Sequence, residues 1–418
     1  MSYMTDLAEN VKLAQDDIAN ATTVKKNEAL NAIANALVLN AQQIITANEK
    51  DLENAKSNGI SDVMLDRLKL DETRIKSAAS GVLKVMALND PIGEILSGKT
   101  LSNGLQIKKV RVALGIIGVI YESRPNVTID VVALCLKSSN AVILRGGKEA
   151  INTNIAIMNI MQNAIKSVGL NENIIALVKD TSREVSTEMM KLNDYLDVLI
   201  PRGGAGLIQS VLKNATVPVI ETGVGNCHIY VDSFADFEMA KNIVFNAKTS
   251  RPSVCNACEN MLVHKEIAKE FLPIIKAKLD EKNVVIYGCE KTKEILGNDV
   301  ILATDEDFAT EFLDYKISVK VVDDINEAIS HIKKFTTHHS EAIVTDNFKN
   351  ANIFTTKVDA AAVYVNASTR FTDGEVFGLG GEIGISTQKL HARGPMGLCE
   401  LTSSKYIVFG TSETGNIR

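Results

Sequence analysis

The sequence contains no tryptophan, and only 5% of its 418 residues are aromatic. A core built from such a chain has to be aliphatic. Other absences narrow the class. The first twenty residues mix charges with apolar positions and lack the apolar centre of a secretory signal. No apolar run reaches the length needed to cross a bilayer. No block of like charges occurs, and the net charge of −6 with a pI near 5.7 argues against a nucleic-acid partner. The six cysteines (135, 227, 255, 258, 289 and 399) are scattered rather than spaced as a disulfide framework, so a reducing cytoplasm is the expected home. There is no internal repeat and no low-complexity tract. The length predicts two or three domains.

What is present falls into blocks. Leu7, Val11, Ala14 and Ile18 recur at helical spacing and predict a helix over 4–20. Leu30, Ile33, Leu37 and Val38 predict a second, and a third over 40–57 should stop at Asn58-Gly59. Ser61 with Asp62 predicts the start of a short helix, and Ile75, Ala78, Val82 and Val85 mark another. Pro91 closes this helical block. Over 93–112, Gly93, Gly98, Gly104 and the alternating Val110-Arg111-Val112 predict a hairpin-like ribbon. Such a ribbon needs another domain or subunit to lean on.

From Gly115 the pattern becomes regular. Apolar runs at 115–121, 141–145, 174–178, 196–200 and 217–220 alternate with helical patterns at 127–139, 149–167, 184–192 and 204–213. Continuous apolar strands alternating with helices predict a parallel sheet covered on both faces. A second series follows, with strands at 228–231, 259–263, 284–287, 317–322, 341–345 and 361–365, and helices at 235–247, 265–280 and 324–334. The boundary is expected near Gly223-Val224-Gly225, where the glycines loosen the backbone. The fold class is α/β, with two doubly wound α/β units. A last apolar run lies at 406–409.

The dinucleotide fingerprint G-x-G-x-x-G is missing in its usual form. Two strand ends carry glycines and a base instead, Leu144-Arg-Gly-Gly-Lys148 and Ile200-Pro-Arg-Gly-Gly-Ala-Gly206, each ahead of a helical pattern. One such turn is most simply a tight strand-to-helix connection. Two in one sheet, both at strand carboxyl ends, point to a mononucleotide or dinucleotide ligand.

The stretch Asn246–His264 joins a helix to an apolar strand through a polar connection carrying Arg251, Pro252 and Cys255, with Cys258 completing a C-x-x-C. Three readings compete: a redox dithiol, a zinc site, and a single acyl-accepting thiolate with Cys258 incidental. Zinc has only Cys227-His228 as a supplement, and no second C-x-x-C exists. The histidine-dense His338-His339-Ser340-Glu341 reads as a loop, because adjacent side chains on an extended segment point apart. Glu221 is either a general base or a solvated surface acid. Asn126 is either an oxyanion donor or a helix N-cap.

Several motifs together resemble the aldehyde dehydrogenase superfamily, and within it an acyl-phosphate-reducing branch. They are Gly118-Val-Ile-Tyr-Glu-Ser-Arg-Pro-Asn126, Val142-Ile-Leu-Arg-Gly-Gly147, Glu221-Thr-Gly-Val-Gly-Asn-Cys-His228, Arg251-Pro-Ser-Val-Cys-Asn-Ala257, Gly378-Leu-Gly380 and Glu382-Ile-Gly-Ile-Ser-Thr-Gln-Lys-Leu-His-Ala-Arg-Gly-Pro-Met-Gly397. The resemblance spans essentially the whole chain. It implies reduction of L-glutamyl 5-phosphate by NADPH to L-glutamate 5-semialdehyde, in proline biosynthesis. It implies Cys255 as nucleophile and Asn126 as oxyanion amide. Cofactor contacts would come from Arg145, Lys148, Gly203, Gly204 and Glu311, with the cation of Lys148 suiting the 2′-phosphate of NADP. Glu221 matches the general base of oxidative relatives, a role an acyl-phosphate reductase need not have. Arg124 and Arg370 are candidate substrate anchors. No metal is implied, and no role attaches to Cys258. The expected division is a cofactor domain at 1–92 and 113–225, a catalytic domain at 226–387, and a small β oligomerisation element at 93–112 and 388–418. A homo-oligomer is expected, as is transient contact with glutamate 5-kinase. Two other readings stay open, a non-catalytic nucleotide-binding protein and an acyl-CoA-reducing aldehyde dehydrogenase.

Overall fold

The structure is a computed structural model that describes residues 2–60, 62–122 and 124–410. The predicted start of a helix at Ser61, and the end of the tail beyond 410, lie outside the described residues. The chain divides into two compact units, one formed by 1–221, 378–384 and 396–418, the other by 222–377 and 385–395.

In the first unit, helices run Tyr3–Ala19, Thr23–Leu39, Ala41–Ser57, Asp62–Leu68 and Glu72–Ala87. Capping by Ser2, Thr22 and Asp71, whose side chains accept N–H groups of the first turn, starts three of them. The first helix buries Met4, Ala8, Val11, Ala14 and Ile18, one aliphatic stripe at a period near 3.6. These helices precede a four-stranded parallel sheet. Its spatial order is Ile175–Leu177, Ala141–Arg145, Ile116–Tyr121, Val198–Arg202. The strand Ile116–Tyr121 is buried throughout, as a doubly covered strand must be. The expected fifth strand at 217–220 is reduced to one parallel bridge, Leu199 with Val219, because Pro218 has no N–H to give a ladder.

The chain steps outward from Ile116–Tyr121 through the next two strands and then returns to its other flank at Val198–Arg202. That reversal is a topological switch point, and ligands in open α/β sheets bind beyond the strand carboxyl ends there. Two short segments therefore matter, Glu122–Asn126 and Arg202–Gly204. The ribbon strands Ile95–Thr100 and Gln106–Ala113 pair antiparallel with each other, and Gln106–Ala113 pairs with Thr402–Phe409. This three-stranded sheet leaves Ile95, Tyr406, Val408 and Phe409 more than half exposed.

The second unit holds a seven-stranded, all-parallel sheet. Its order is Ile301–Leu302, Val285–Gly288, Lys316–Val322, Cys258–His264, Cys227–Val231, Ser340–Val344, Ala362–Val365. Phe237–Thr249 and Lys265–Asp280 cover one face, packing Ala240, Val244, Phe271 and Ile275 against Met261 and Val263. Ile325–Phe335 and Phe348–Lys357 cover the other, with Ile329, Ile332 and Phe354 against Tyr230, Leu262 and Ile343. Cys258–His264 lies at the centre and is buried along its whole length. Among the described residues no helix is long and apolar enough to cross a membrane.

Candidate active site

Thr249 is the last residue of the helix Phe237–Thr249, and Pro252 bars continuation because the residue before proline is driven out of the helical region. The connection runs to Cys258. Within it the Ala257 N–H donates to the Val254 carbonyl at 3.0 Å, which closes a tight turn around Cys255 and Asn256. Cys255 is half-buried.

Three sets of interactions hold this turn. Asn256, buried, donates through Nδ2 to the carbonyl of Thr372 at 2.9 Å and accepts at its own carbonyl from Thr369 Oγ1 at 2.7 Å. Arg370 Nη1 donates to Asn256 Oδ1, and Arg370 Nε donates to Ser250 Oγ at 3.1 Å. The candidate substrate anchor Arg370 is thus built into the thiol turn. Burial, and then the nearby Arg251, lower its pKa, whereas the Cys255 thiol raises it.

The second set is the segment Gly225–Cys227. Cys227 Sγ donates to the Cys255 carbonyl at 3.2 Å. A Cβ added to Gly225 would stand 1.5 Å from that carbonyl oxygen and 2.6 Å from Cys255 Cα. Gly225 is therefore required by close backbone approach, a reason different from the loosening expected of it. Its N–H donates to Glu311 Oε1 at 2.8 Å, which is where the structure puts the candidate ribose-binding carboxylate. Asn226 Nδ2 donates to the carbonyls of Phe308 and Phe335, both at 2.8 Å, and fixes the same segment from its other side.

The third is an ion pair that the periodicity of the sequence does not reveal. Lys248, in the last turn of the helix, meets Glu259, second in the strand, at 2.6 Å with both side chains fully buried. The pair ties together the two ends of the thiol loop. Burial pushes the Glu259 carboxyl up to about 7 against the pull of Lys248. A carboxyl whose folded pKa lies above its unfolded value keeps its proton longer in the fold, so stability is lost as pH rises from the ordinary carboxylate range towards 7. Lys248→Met removes the compensating cation. The expected result is a loss of about 3 kcal/mol, larger at pH 8 than at pH 6, measured by urea unfolding at both pH values. An equal loss at both would contradict the account. A cation after the run Ile243-Val-Phe245 and an acid before the run Met261-Leu-Val263 were the available signal, and neither shows the other as its partner.

Cys258 differs from Cys255. It lies in the strand, fully buried, donates to the Asn260 carbonyl at 3.2 Å, and burial raises its pKa. No disulfide forms among the described residues, and no group of three or more His, Cys, Asp or Glu there is placed to hold a metal ion. His228 is buried against Glu341 at 3.0 Å and serves the interior.

In the first unit the strand Ile116–Tyr121 turns into the helix Pro125–Lys137 with Pro125 at its first position. Arg124 occupies the N-cap position with an extended backbone and no side-chain cap bond. Asn126 therefore sits inside the first turn and is not the cap. Its Nδ2 donates to Asp130 Oδ2 at 3.1 Å. Tyr121 Oη bonds Thr128 Oγ1 at 2.6 Å, which locks helix to strand.

The two glycine turns are not alike. At the second, the Gly204 N–H donates to Glu122 Oε2 at 2.8 Å, so a carboxylate of the chain already occupies that amide. At the first, a Cβ on Gly146 would stand 2.3 Å from Asn154 Nδ2, the end of a buried side chain that would have to shift. Arg145 is half-buried and donates to the Thr181 carbonyl at 2.7 Å, and burial lowers its pKa. Lys148 begins the turn of helix after the glycines and is exposed. Glu221 is half-buried at the end of the 217–220 run.

The matching family model is the aldehyde dehydrogenase family, over residues 5–291. A γ-glutamyl phosphate reductase of Clostridium novyi is 57% identical over 412 residues, covering 99% of both chains. One from Clostridium perfringens is 59% identical over 405 residues, covering 97% of both. The solved γ-glutamyl phosphate reductase of Thermotoga maritima superposes with a TM-score of 0.96 at 49% identity, covering 99% of this chain and all of that one. The chain belongs to the aldehyde dehydrogenase family.

Proposed function

We propose that the protein catalyses the NADPH-dependent reduction of L-glutamyl 5-phosphate to L-glutamate 5-semialdehyde and phosphate, through a thioester on Cys255, as a step of proline biosynthesis. The observation that carries this reading is the braced thiol turn with Arg370 built into it, in a chain more than half identical to γ-glutamyl phosphate reductases. The Cys255 thiolate attacks the acyl-phosphate carbonyl. A C–S bond forms, the C–O bond to phosphate breaks, and phosphate leaves with the bonding pair. The nicotinamide cofactor, when bound, supplies a hydride to the thioester carbonyl. The Asn126 amide donates to the oxyanion at both tetrahedral stages. The thiohemiacetal on Cys255 then collapses, and the thiolate departs as readily as it attacked. Phosphate is the leaving group, so no water needs activating and Glu221 is given no proton to move.

Arg124 and Arg370 are proposed to receive the substrate's carboxylate and phosphate. For the cofactor, the first glycine turn fits better than the second. It offers the exposed Lys148 and the buried donors Arg145 Nε and Asn154 Nδ2, which have no partner. The second turn presents Gly203 and the occupied amide of Gly204, where a phosphate would have to displace Glu122. Glu311 would hold the nicotinamide-side ribose by releasing the Gly225 N–H. Lys148→Glu should lower the NADP:NAD ratio of kcat/KM by about tenfold or more, as expected when a charge facing a phosphate is reversed. An unchanged ratio removes Lys148 from the cofactor site. A second copy of the chain is the proposed cover for the exposed Ile95, Tyr406, Val408 and Phe409. A cytoplasmic setting and a passing contact with glutamate 5-kinase, which would hand over a labile acyl phosphate, belong to the same reading.

A further inference from the structure

We propose that Asp130 is a positioning residue that fixes the orientation of the Asn126 amide. The inference rests on the reading of Asn126 as the oxyanion donor. It starts from a property of asparagine: the side-chain amide can present either its oxygen or its nitrogen, and only the nitrogen can serve a developing negative charge. Something has to choose. Asn126 Nδ2 lies 3.1 Å from Asp130 Oδ2, one helical turn further on. An ionised carboxylate accepts and never donates, so it selects the orientation with the nitrogen towards it. The same nitrogen keeps a second hydrogen for the reaction.

The bland reading is an i, i+4 pair on a wet helix face, worth a few tenths of a kcal/mol. The surroundings are not those of a wet face. Asp130 is half-buried, flanked by Ile129 and Val131, which are fully buried. Burial pushes its carboxyl up to about 6, while the Asn126 hydrogen bond and the charge of Arg202 hold it down. Arg202 ends the neighbouring strand, in register with Tyr121. Asn126, Asp130 and Arg202 therefore gather at the carboxyl ends of the two strands that flank the switch point. A carboxylate acceptor held near a cation is a common support for a donor that must not rotate during the reaction.

The test is a double-mutant cycle read in kcat and KM for semialdehyde oxidation with NADP and phosphate. Asn126→Ala should lower kcat by about 10²-fold, the cost of removing an oxyanion donor. Asp130→Leu, which has a similar shape and no acceptor, should lower kcat about tenfold, with KM within threefold of the parent. In the Asn126→Ala background Asp130→Leu should add less than twofold, because its effect passes through the missing amide. If the leucine variant is too unstable to assay, Asp130→Asn takes its place with an expected loss of threefold or more. A normal kcat in the Asp130 variants beside an impaired Asn126→Ala overturns this inference alone. The same follows if the Asp130 loss persists undiminished in the Asn126→Ala background. A normal kcat in Asn126→Ala removes the oxyanion reading itself, and this inference with it.

Discussion

Cys255→Ala is expected to lower turnover of the semialdehyde by at least about 10³-fold, because covalent capture by the thiol has no substitute in the site. The fold should not suffer. The side chain is half-buried, the replacement is smaller by one sulfur, and Asn256 and Arg370 hold the turn. The variant should keep its melting temperature within a few degrees and still bind NADP. Cys258→Ala serves as the contrast. That thiol is fully buried and bonded to the Asn260 carbonyl, so its loss should cost stability while leaving kcat within a few fold. Retention of activity within tenfold in Cys255→Ala would remove the thioester from the mechanism. Equal loss of activity in both variants would revive a dithiol reading of the C-x-x-C.

Gly225→Ala should lower the rate by about 10²-fold without touching a reacting group. An added Cβ at 1.5 Å from the Cys255 carbonyl oxygen, and 2.3 Å from its carbon, meets backbone and not the flexible end of a side chain. The thiol turn has to move by more than an ångström, and a misplacement of that size costs about 10²-fold in rate. Two bonds are strained at once, since the Gly225 N–H is held by Glu311 and the Cys255 carbonyl by Cys227. Gly81 supplies the control. It lies inside the helix Glu72–Ala87 with nothing within 4 Å of a built Cβ, and Gly81→Ala should stabilise by about 1 kcal/mol at unchanged activity. The two substitutions are the same chemical change with opposite expected signs, and circular dichroism melts with a rate assay distinguish them. Parental activity in Gly225→Ala would show that the turn tolerates displacement.

The strands were the most legible part of the chain. Ile116–Tyr121 is apolar throughout, and the runs Met261-Leu-Val263 and Ala342-Ile-Val344 mark two strands of the second sheet despite the polar residues that open them; runs this short between turn residues suit strands better than helices. The helix Phe348–Lys357 left no such mark, because only Phe354 is fully buried, Ile353 is half-buried beside it, and most other positions are polar or exposed. The two-residue strand Ile301–Leu302 is exposed and pairs at one edge, so nothing in its composition sets it apart. Within the candidate site, three readings of the C-x-x-C stood open and only the family resemblance singled out Cys255; the expected strand began at 259, whereas the structure starts it at Cys258 and leaves Cys255 in the loop. The braces were not legible in the sequence. Lys248 with Glu259, Arg370 with Asn256, and Glu122 with Gly204 are pairs made by folding, between positions 11, 114 and 82 residues apart. A sequence shows that a charge exists but not what it faces. Asn126 and Asp130, unread in the sequence, could have been paired there, since residues four apart on one helix share a face by its geometry alone.

The sharpest test of the account is the co-substrate dependence of L-glutamate 5-semialdehyde oxidation with NADP. A thioester on Cys255 released by phosphate predicts a rate that saturates with inorganic phosphate and falls to background when phosphate is omitted. The acyl-enzyme should then accumulate on Cys255 as a mass increase equal to the glutamyl group. Oxidation that runs equally fast without phosphate, or that requires coenzyme A in its place, would contradict it.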